Sequence, residues 1–162
     1  MRGVRHHRHH ARGRGFTLVE LVLVIVLVGT LSFFAVSRLA DRGDTDAHGA
    51  TEQLASALRF AHKAAVAQRR FVYVNVDTAA NRVWFCLDAA SACATPLAAA
   101  AGGPLEVTLP RGLALGGNSN AQWRFDGLGR PSFASATDLT VAAPNVTFTV
   151  RIEPESGYVR RT

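Results

Sequence analysis

The chain has 162 residues, of which 18 are basic and 12 are acidic, and its formal net charge is +6. This length accommodates one globular domain plus a terminal segment, and the charge would ordinarily suggest a nucleic-acid partner. Five of the basic side chains, however, lie in the first 15 residues, and the remaining 13 nearly balance the 12 acidic ones. The basicity therefore belongs to the N-terminal stretch, and no nucleic-acid partner is expected.

Residues 1–15 form a cationic leader, and an apolar run follows from Phe16 to Ser37 with Glu20 as its one charge. As a helix, these 22 residues would span about 33 Å, close to the hydrocarbon thickness of a bilayer. The cationic flank before the run, and the acidic residues after it, predict a cytoplasmic N-terminus. The sequence thus predicts a single-pass membrane protein with residues 16–37 as its transmembrane helix and the rest of the chain in the periplasm or outside.

Three interpretations of this N-terminal segment compete. A secretory signal would be cleaved after the apolar run, where Ala35-Val36-Ser37 is a passable site. An uncleaved anchor would explain the length of the run but not Glu20, because a carboxylate in hydrocarbon costs about 3 kcal/mol. A third interpretation places the cut between Gly15 and Phe16 and leaves the apolar helix on the mature protein.

The stretch "RGFTLVELVLVIVLVGTL" resembles the class III signal of type IV pilins and type II secretion pseudopilins. That family has Gly before the cut, Phe as the new first residue and Glu as the fifth, here Gly15, Phe16 and Glu20. The resemblance implies that a prepilin peptidase cleaves after Gly15 and methylates the amine of Phe16.

Glu20 lies near the start of the predicted helix, where the helix dipole favours an anion. Cleavage would create a cationic amine at Phe16, and Glu20 of one subunit could pair with that amine on another. Such a pair would neutralise both charges and fix the axial stagger of packed helices. The alternative is an interfacial glutamate that the membrane merely tolerates.

The segment after the apolar run predicts a second, amphipathic helical half. Asp41 to Asp46 ("DRGDTD") offers a helix-breaking Gly43, and apolar residues then recur at helical spacing over about 46–69: Leu54, Leu58, Ala61 and Ala65. Residues 38–70 are assigned to this continuation. Asp41, Asp44, Asp46 and His48 could be taken for a metal cluster, but a solvated charged kink is the simpler interpretation, and neither a metal nor a cofactor is expected.

From Phe71 the period of the pattern changes to two, which predicts a β-rich head over 71–162. "RFVYVNVD" and "RVWFCL" are predicted to form a hairpin. Further strands are predicted at "LEVTL", "AQWRF" and "DLTVA", and a final pair in "NVTFTVRIEPESGYVRR". Residues 89–103 and 111–120 are predicted to be loops. Four aromatic residues are assigned to the core or to packing between sheets: Tyr73, Trp84, Trp123 and Phe125. The fold class is α+β, with a long N-terminal helix packed against an antiparallel head.

Cys86 and Cys93 are the two cysteines of the chain. In an oxidising compartment their spacing suits a short disulfide loop. Two unlinked thiols remain an alternative, whereas a zinc site lacks the further ligands that it requires.

The head carries a second resemblance. "ALRFAHKAAVAQRRFVYVNVD", "FDGLGRP" and "FTVRIEPESGYVR" are similar to segments of GspH/FimT-type minor pilins and pseudopilins, and within that group to the C-type minor pilin of the mannose-sensitive haemagglutinin (MSHA) pilus. The resemblance implies a structural subunit without enzymatic activity, at the tip of a pilus or as a primer of its assembly. Its partners would be other pilin-like subunits, the prepilin peptidase, and an assembly platform with its ATPase. Two alternatives remain, an H-type pseudopilin of a type II secretion system and a membrane-anchored module that binds DNA or a glycan.

Overall fold

The computed structural model of the chain describes residues 17–89, 92–117 and 122–162, and for residues 33–42 it describes the backbone alone. The chain divides into two compact units between Arg38 and Leu39. Helix α1, Leu18–Gln68, contributes residues to both units. The predicted leader and Phe16 lie outside the described residues, as do the side chains of residues 33–37 of the predicted membrane span.

The first unit begins α1 with a T-x-x-E capping sequence. The Glu20 backbone N–H donates to Thr17 Oγ1 at 3.2 Å, which satisfies one of the free amides at the helix start. The side chains that follow are apolar and exposed in every direction around the helix: Leu18, Val19, Leu21, Val22, Leu23, Val24, Ile25, Val26, Leu27, Val28 and Leu31. Taken over the described part of the chain, no helical stretch combines the length and the apolarity that a membrane crossing requires.

The helix continues without a break through Gly43, although the sequence offers that glycine as a helix breaker. A glycine inside a helix costs about 1 kcal/mol relative to alanine, which the buried face of the following turns readily offsets. The helix ends instead at Gln68, where Arg69 adopts a φ of +47°. The Arg70 N–H donates to the Ala65 carbonyl at 3.2 Å, as in a Schellman C-cap.

In the second unit, one face of α1 forms the centre of the core. The four residues predicted for this face are fully buried: Leu54, Leu58, Ala61 and Ala65. Small residues flank them, and Thr51 is tolerated among them because its hydroxyl donates to the Ala47 carbonyl at 2.6 Å. The amphipathic prediction is confirmed on this face.

The described residues of the head form eight strands in two antiparallel sheets: β1 Val72–Asp77, β2 Arg82–Cys86, β3 Glu106–Thr108, β4 Ala114–Gly117, β5 Trp123–Phe125, β6 Thr137–Ala142, β7 Thr147–Ile152 and β8 Val159–Arg161. The strand orders are β3-β2-β1-β5 and β4-β6-β7-β8. Buried side chains of both sheets and of α1 belong to one apolar cluster. The predicted α+β fold is confirmed.

Two local predictions in the head are corrected. The segment 111–120 was expected to be a loop, but β4 lies within it, because Leu115 is buried and pairs with Val141 of β6. Of the four aromatic residues assigned to the core, Trp123 and Phe125 are buried, whereas Tyr73 and Trp84 are half-buried. Arg82 lies over the Trp84 ring at 5.1 Å, so this exposed aromatic face is covered by a cation instead of by core residues.

Candidate assembly surfaces and the head that carries them

Of the residues predicted to act in processing and docking, the structure describes Glu20. Its side chain lies exposed in the first turn of α1, and no ion pair within the described residues involves it. Gly15 and Phe16, the predicted cleavage and methylation positions, lie outside the described residues. A carboxylate here, at the head of an exposed apolar helix, is available to a partner molecule.

Two turns of the head contact the C-terminal part of α1. The first is the "FDGLGRP" turn, in which Asp126 Oδ1 accepts hydrogen bonds from the N–H groups of Leu128 and Arg130, both at 2.8 Å. The Phe125 to Pro131 bridge closes this turn. A side-chain cap on its own backbone is the typical role of aspartate at such a position, and it makes the turn rigid.

The second turn, Glu153 to Tyr158, meets the first one at His62 of α1. His62 Nε2 lies 3.2 Å from the Ser156 carbonyl oxygen, and because a carbonyl can only accept, Nε2 carries the proton. The His62 ring also packs edge-on against Phe125, with centroids 5.3 Å apart. A Cβ at Gly129 would lie 2.5 Å from His62 Nε2, so the close approach of turn and helix requires glycine there.

A third contact fastens the C-terminal strand to the helix near the beginning of the head. Arg161 Nη1 donates to His48 Nε2 at 2.8 Å and also pairs with Glu52 Oε1. The His48 ring packs edge-on against Phe148 of β7. His48 is therefore accounted for by packing and by this hydrogen bond, and within the described residues no group of three His, Cys, Asp or Glu side chains could hold a metal ion.

A fourth contact ties neighbouring strands β6 and β7 together on the surface. Arg151 donates to both carboxylate oxygens of Asp138, at 2.8 Å from Nε and 2.7 Å from Nη2. This bidentate hydrogen bonding to the Arg151 guanidinium lowers the pKa of Asp138, against a smaller opposing effect of burial. The pKa of Arg151 is raised by the same hydrogen bonds.

Cys86 at the end of β2 and Cys93 form a disulfide, with their Cα atoms 5.6 Å apart. Cys86 is fully buried, and Asn75 Nδ2 lies 3.4 Å from its sulfur. Gln122 donates in turn to Asn75 Oδ1 at 2.8 Å, so this buried amide is satisfied on both sides. The predicted disulfide is present and attaches the loop after β2 to the core.

Sequence reasoning missed the role of His62 and of Gly157. Both were assigned only to a helix and to a turn, although "FDGLGRP" was recognised as a turn with a glycine suited to positive φ. The sequence signal that could have found them is the pair of turn glycines, Gly129 and Gly157, because glycine readily adopts a positive φ. In the structure these φ angles are +86° and +65°.

The family model described as type II transport protein GspH matches residues 50–160 of this chain. The chain belongs to the GspH family. Its described head, with a helix against two antiparallel sheets, therefore has the architecture of a minor type IV pilin or pseudopilin, which are structural subunits. The sequence-level recognition of this family is confirmed.

Individual relatives agree with this membership. A type IV narrow pilus major component, PilA5, of Thermus thermophilus is 39% identical over 59 residues, which are 36% of this chain and 51% of that protein. The alignment thus spans about half the length of that relative.

Two solved structures share the fold at low sequence identity. The Pseudomonas aeruginosa type IV minor pilin FimU has a TM-score of 0.61 at 16% identity, over 74% of this chain and 90% of that one. The minor pseudopilin EpsH from the type 2 secretion system of Vibrio cholerae has a TM-score of 0.59 at 17% identity, over 72% of this chain and 96% of that one. At these identities the likeness shows the fold alone.

Proposed function

We propose that this GspH-family chain is a minor pilin subunit that joins an MSHA-like type IV pilus, or primes its assembly, through α1. The single observation that carries this proposal is the exposed apolar start of α1, which presents Glu20 in its first turn. No other segment of the described chain packs against this surface. An exposed apolar surface of this extent is stabilised by contact with lipid or with other apolar helices.

The chemistry of docking follows from the helix start. Cleavage after Gly15 would leave the amine of Phe16 four residues before Glu20, with Thr17 as the N-cap between them. A methylated amine stays cationic, and Glu20 of the neighbouring subunit would neutralise it. Because a charge in an apolar layer is costly unless paired, the pair favours one axial register over others.

The same proposal supplies partners and location. Other pilin-like subunits are the partners that the family indicates. The prepilin peptidase, an assembly platform and its ATPase would act on the chain, which would be anchored in the inner membrane with its head in the periplasm. The Cys86–Cys93 disulfide fits that location, since disulfides persist in the oxidising periplasm.

An H-type minor pseudopilin of a type II secretion system is the second candidate, favoured by the description of the matching family. Deletion of the coding sequence separates the two functions. The pilus proposal predicts fewer filaments in the sheared surface fraction with normal secretion of exoproteins. The reverse result assigns the chain to secretion.

Variants of the full-length chain, expressed in the deletion strain, test the docking role. Gly15→Leu should abolish cleavage, as measured by intact mass of the membrane-extracted chain. Glu20→Ala should be cleaved normally but reach sheared filaments at roughly a tenth of the normal level or less, as a loss of about 1.4 kcal/mol is tenfold.

Thr30→Ala is the matched control within the same exposed helix, because its hydroxyl bonds only to the Leu27 carbonyl. It should enter filaments normally. Normal incorporation of Glu20→Ala would overturn the docking role of this carboxylate.

A further inference from the structure

The large apolar side chains exposed in the described head all lie around the C-terminal end of α1. They are Val66, Phe71, Leu128 and Tyr158, with 78% of Leu128 and 62% of Tyr158 exposed. We name these four residues the helix-end patch. Leu128 lies within the first of the two turns that contact His62, and Tyr158 closes the second turn, where its carbonyl accepts the Glu153 N–H at 3.0 Å. Both residues are therefore exposed on hydrogen-bonded turns.

The glycines of the two turns show how closely the turns approach each other and α1. A Cβ at Gly129 would lie 3.1 Å from Val66 Cγ2, and a Cβ at Gly157 would lie 2.1 Å from the Gly129 carbonyl oxygen. A Cβ at Gly127 would lie 3.0 Å from the backbone of Arg69. The turns that carry Leu128 and Tyr158 therefore meet each other, and both contact the last turns of the helix.

The patch has cations on its helix side, whereas the two turns carry Asp126, Glu155 and Glu153, of which Glu153 pairs with Arg160. The last part of α1 and the two residues after it carry no acid, while they carry Arg59, Lys63, Arg69 and Arg70. A groove of about 370 Å³ opens beside Tyr158, lined also by Arg59, His62 and Lys63. Arg59 Nε donates a hydrogen bond to the Val159 carbonyl oxygen at 3.2 Å. Lys63 forms no ion pair within the described residues.

The acidic side chains that α1 contributes to the described head, Asp44, Asp46 and Glu52, lie toward the other end of the head, where Glu52 pairs with Arg161. Asp44 and Asp46 precede the first buried turns, and Asp44 Oδ1 is buried without a hydrogen-bond partner among the described residues. Seventeen residues separate Asp46 from Lys63, which is about 26 Å along a helix. The acidic and basic ends of one head therefore cannot contact each other.

We propose that the helix-end patch is an interaction surface for a second copy of this chain, which presents Asp44 and Asp46 to Lys63 and its groove. Aromatic and arginine side chains beside an apolar centre are typical of protein interfaces, and complementary charges select the partner and the register. A contact between different ends of two identical chains is heterologous. The proposal rests on the assembly function proposed above.

The chain has a single lysine, Lys63, which permits a direct test. Full-length chain in detergent micelles, prepared as an equal mixture of ¹⁴N and ¹⁵N copies, is treated with a zero-length carbodiimide, which joins a carboxylate to an amine in contact with it. Peptides that link Lys63 to Asp44 or Asp46 should appear with mixed isotopes, and their yield should fall several-fold in 0.5 M salt because the attraction between partly exposed charges is screened.

A charge exchange tests the pairing. Asp44→Asn/Asp46→Asn and Lys63→Glu should each abolish the link, while Lys63→Glu combined with Asp46→Lys should restore a mixed-isotope link between the exchanged positions. Tyr158→Ala should lower the yield several-fold with an unchanged thermal unfolding curve.

The proposal is overturned if Lys63 forms no mixed-isotope link, or if its mixed-isotope link joins another acidic residue such as Glu155. It is also overturned if the charge exchange fails to restore the mixed-isotope link. These outcomes leave filament entry through Glu20 untouched, because that function is measured in sheared filaments and depends on the other unit of the chain. Conversely, loss of the Glu20 effect would leave the Lys63 link intact.

Discussion

Gly157 has a φ of +65°, and a Cβ there would lie 2.1 Å from the Gly129 carbonyl oxygen and 2.8 Å from His62 Cδ2. Neither neighbour can move easily, since one is backbone and the other is a ring held against Phe125. We predict that Gly157→Ala destabilises the head by about 2–4 kcal/mol. Urea unfolding of the full chain followed by circular dichroism measures this loss.

Gly49 is the matched control, because it is helical and a Cβ there meets nothing within 4 Å. Gly49→Ala should stabilise the protein by about 0.5–1 kcal/mol through the lower backbone entropy of the unfolded chain. An unchanged midpoint for Gly157→Ala would show that the two turns separate without cost, and the close packing at His62 would then carry no energy.

Asp138 gives a prediction with a defined sign. Its pKa is lowered in the folded protein by the Arg151 guanidinium, so the folded state binds this proton more weakly than the unfolded state does. The stabilisation is present above the unfolded pKa of about 3.9 and is lost as pH falls through the lower folded pKa. Asp138→Asn should therefore reduce the fall in Tm between pH 5 and pH 2, and leave the remaining fall to other carboxylates.

An acid slope for Asp138→Asn equal to that of the unchanged chain would contradict a role of the bidentate pair in acid stability.

At the residue scale, sequence reasoning identified the "FDGLGRP" turn but not its contacts with His62 and Gly157. Asp-Gly and Gly-x-Pro predict local geometry from local chemistry. The meeting of positions 62, 129 and 157 depends on how distant segments fold together, which no local pattern contains. The half-exposed Tyr73 is a related case, since whether an aromatic faces the core or Arg124 depends on strand pairing.

At the scale of elements, periodicity predicted the buried face of α1 correctly, and the helix continues through Gly43, which the sequence offers as a helix breaker. The two outcomes have one cause. Burial of four side chains on a helix face contributes several kcal/mol, at about 25 cal/mol per Å² of apolar surface, whereas Gly43 costs about 1 kcal/mol. Strand β4 escaped prediction because its four residues, Ala114–Gly117, include two glycines and have low intrinsic strand propensity.

The disulfide is the element whose contribution is simplest to measure. Closing the loop between Cys86 and Cys93, separated by seven positions, contributes about 2.5 kcal/mol in the chain-entropy model. Reduction should lower the free energy of unfolding by about that amount, as measured by urea unfolding with and without dithiothreitol. Cys86→Ala/Cys93→Ala is the control, because dithiothreitol should not alter its unfolding.

If reduction lowers the free energy of unfolding more than the double-alanine substitution does, the free thiols themselves disturb the folded state. Cys86 is buried and its sulfur lies near Asn75 Nδ2, so a free thiol there could disturb the amide pair with Gln122. No loss on reduction would contradict the role of the disulfide as a constraint on the unfolded chain.

For the whole molecule, sequence reasoning recognised the family from two unlike signals. The N-terminal motif depends on residue identity over one short stretch, and the resemblance of the head depends on several separate segments such as "FDGLGRP". The change of period from 3.6 to 2 at Phe71 predicted only the α+β plan. The division of the head into two sheets was beyond reach, because sheet order is set by long-range pairing such as β1 with β5. The same limit applies to the helix-end patch, whose four residues are scattered between positions 66 and 158.

The boundary between Arg38 and Leu39 predicts that the second unit folds without the first. Among the described side chains, every residue of the apolar core lies between Ala47 and Val159, so removal of residues 1–38 takes none of these core side chains away. A fragment of residues 39–162 should be soluble and unfold cooperatively, with a Tm within about 5 °C of the full chain, a range that corresponds to about 1 kcal/mol for a domain of this size. Differential scanning calorimetry of both chains provides the comparison.

Leu58→Ala tests whether the fragment and the full chain share one core. Leu58 is fully buried on α1, and its truncation should cost about 2–5 kcal/mol in either background. Equal losses mean that the head is an independent folding unit and that the apolar start of α1 serves other molecules instead of its own head. A fragment that fails to fold, or a loss that differs by more than about 1 kcal/mol between the two backgrounds, would contradict this division, because contributions of independent parts should add.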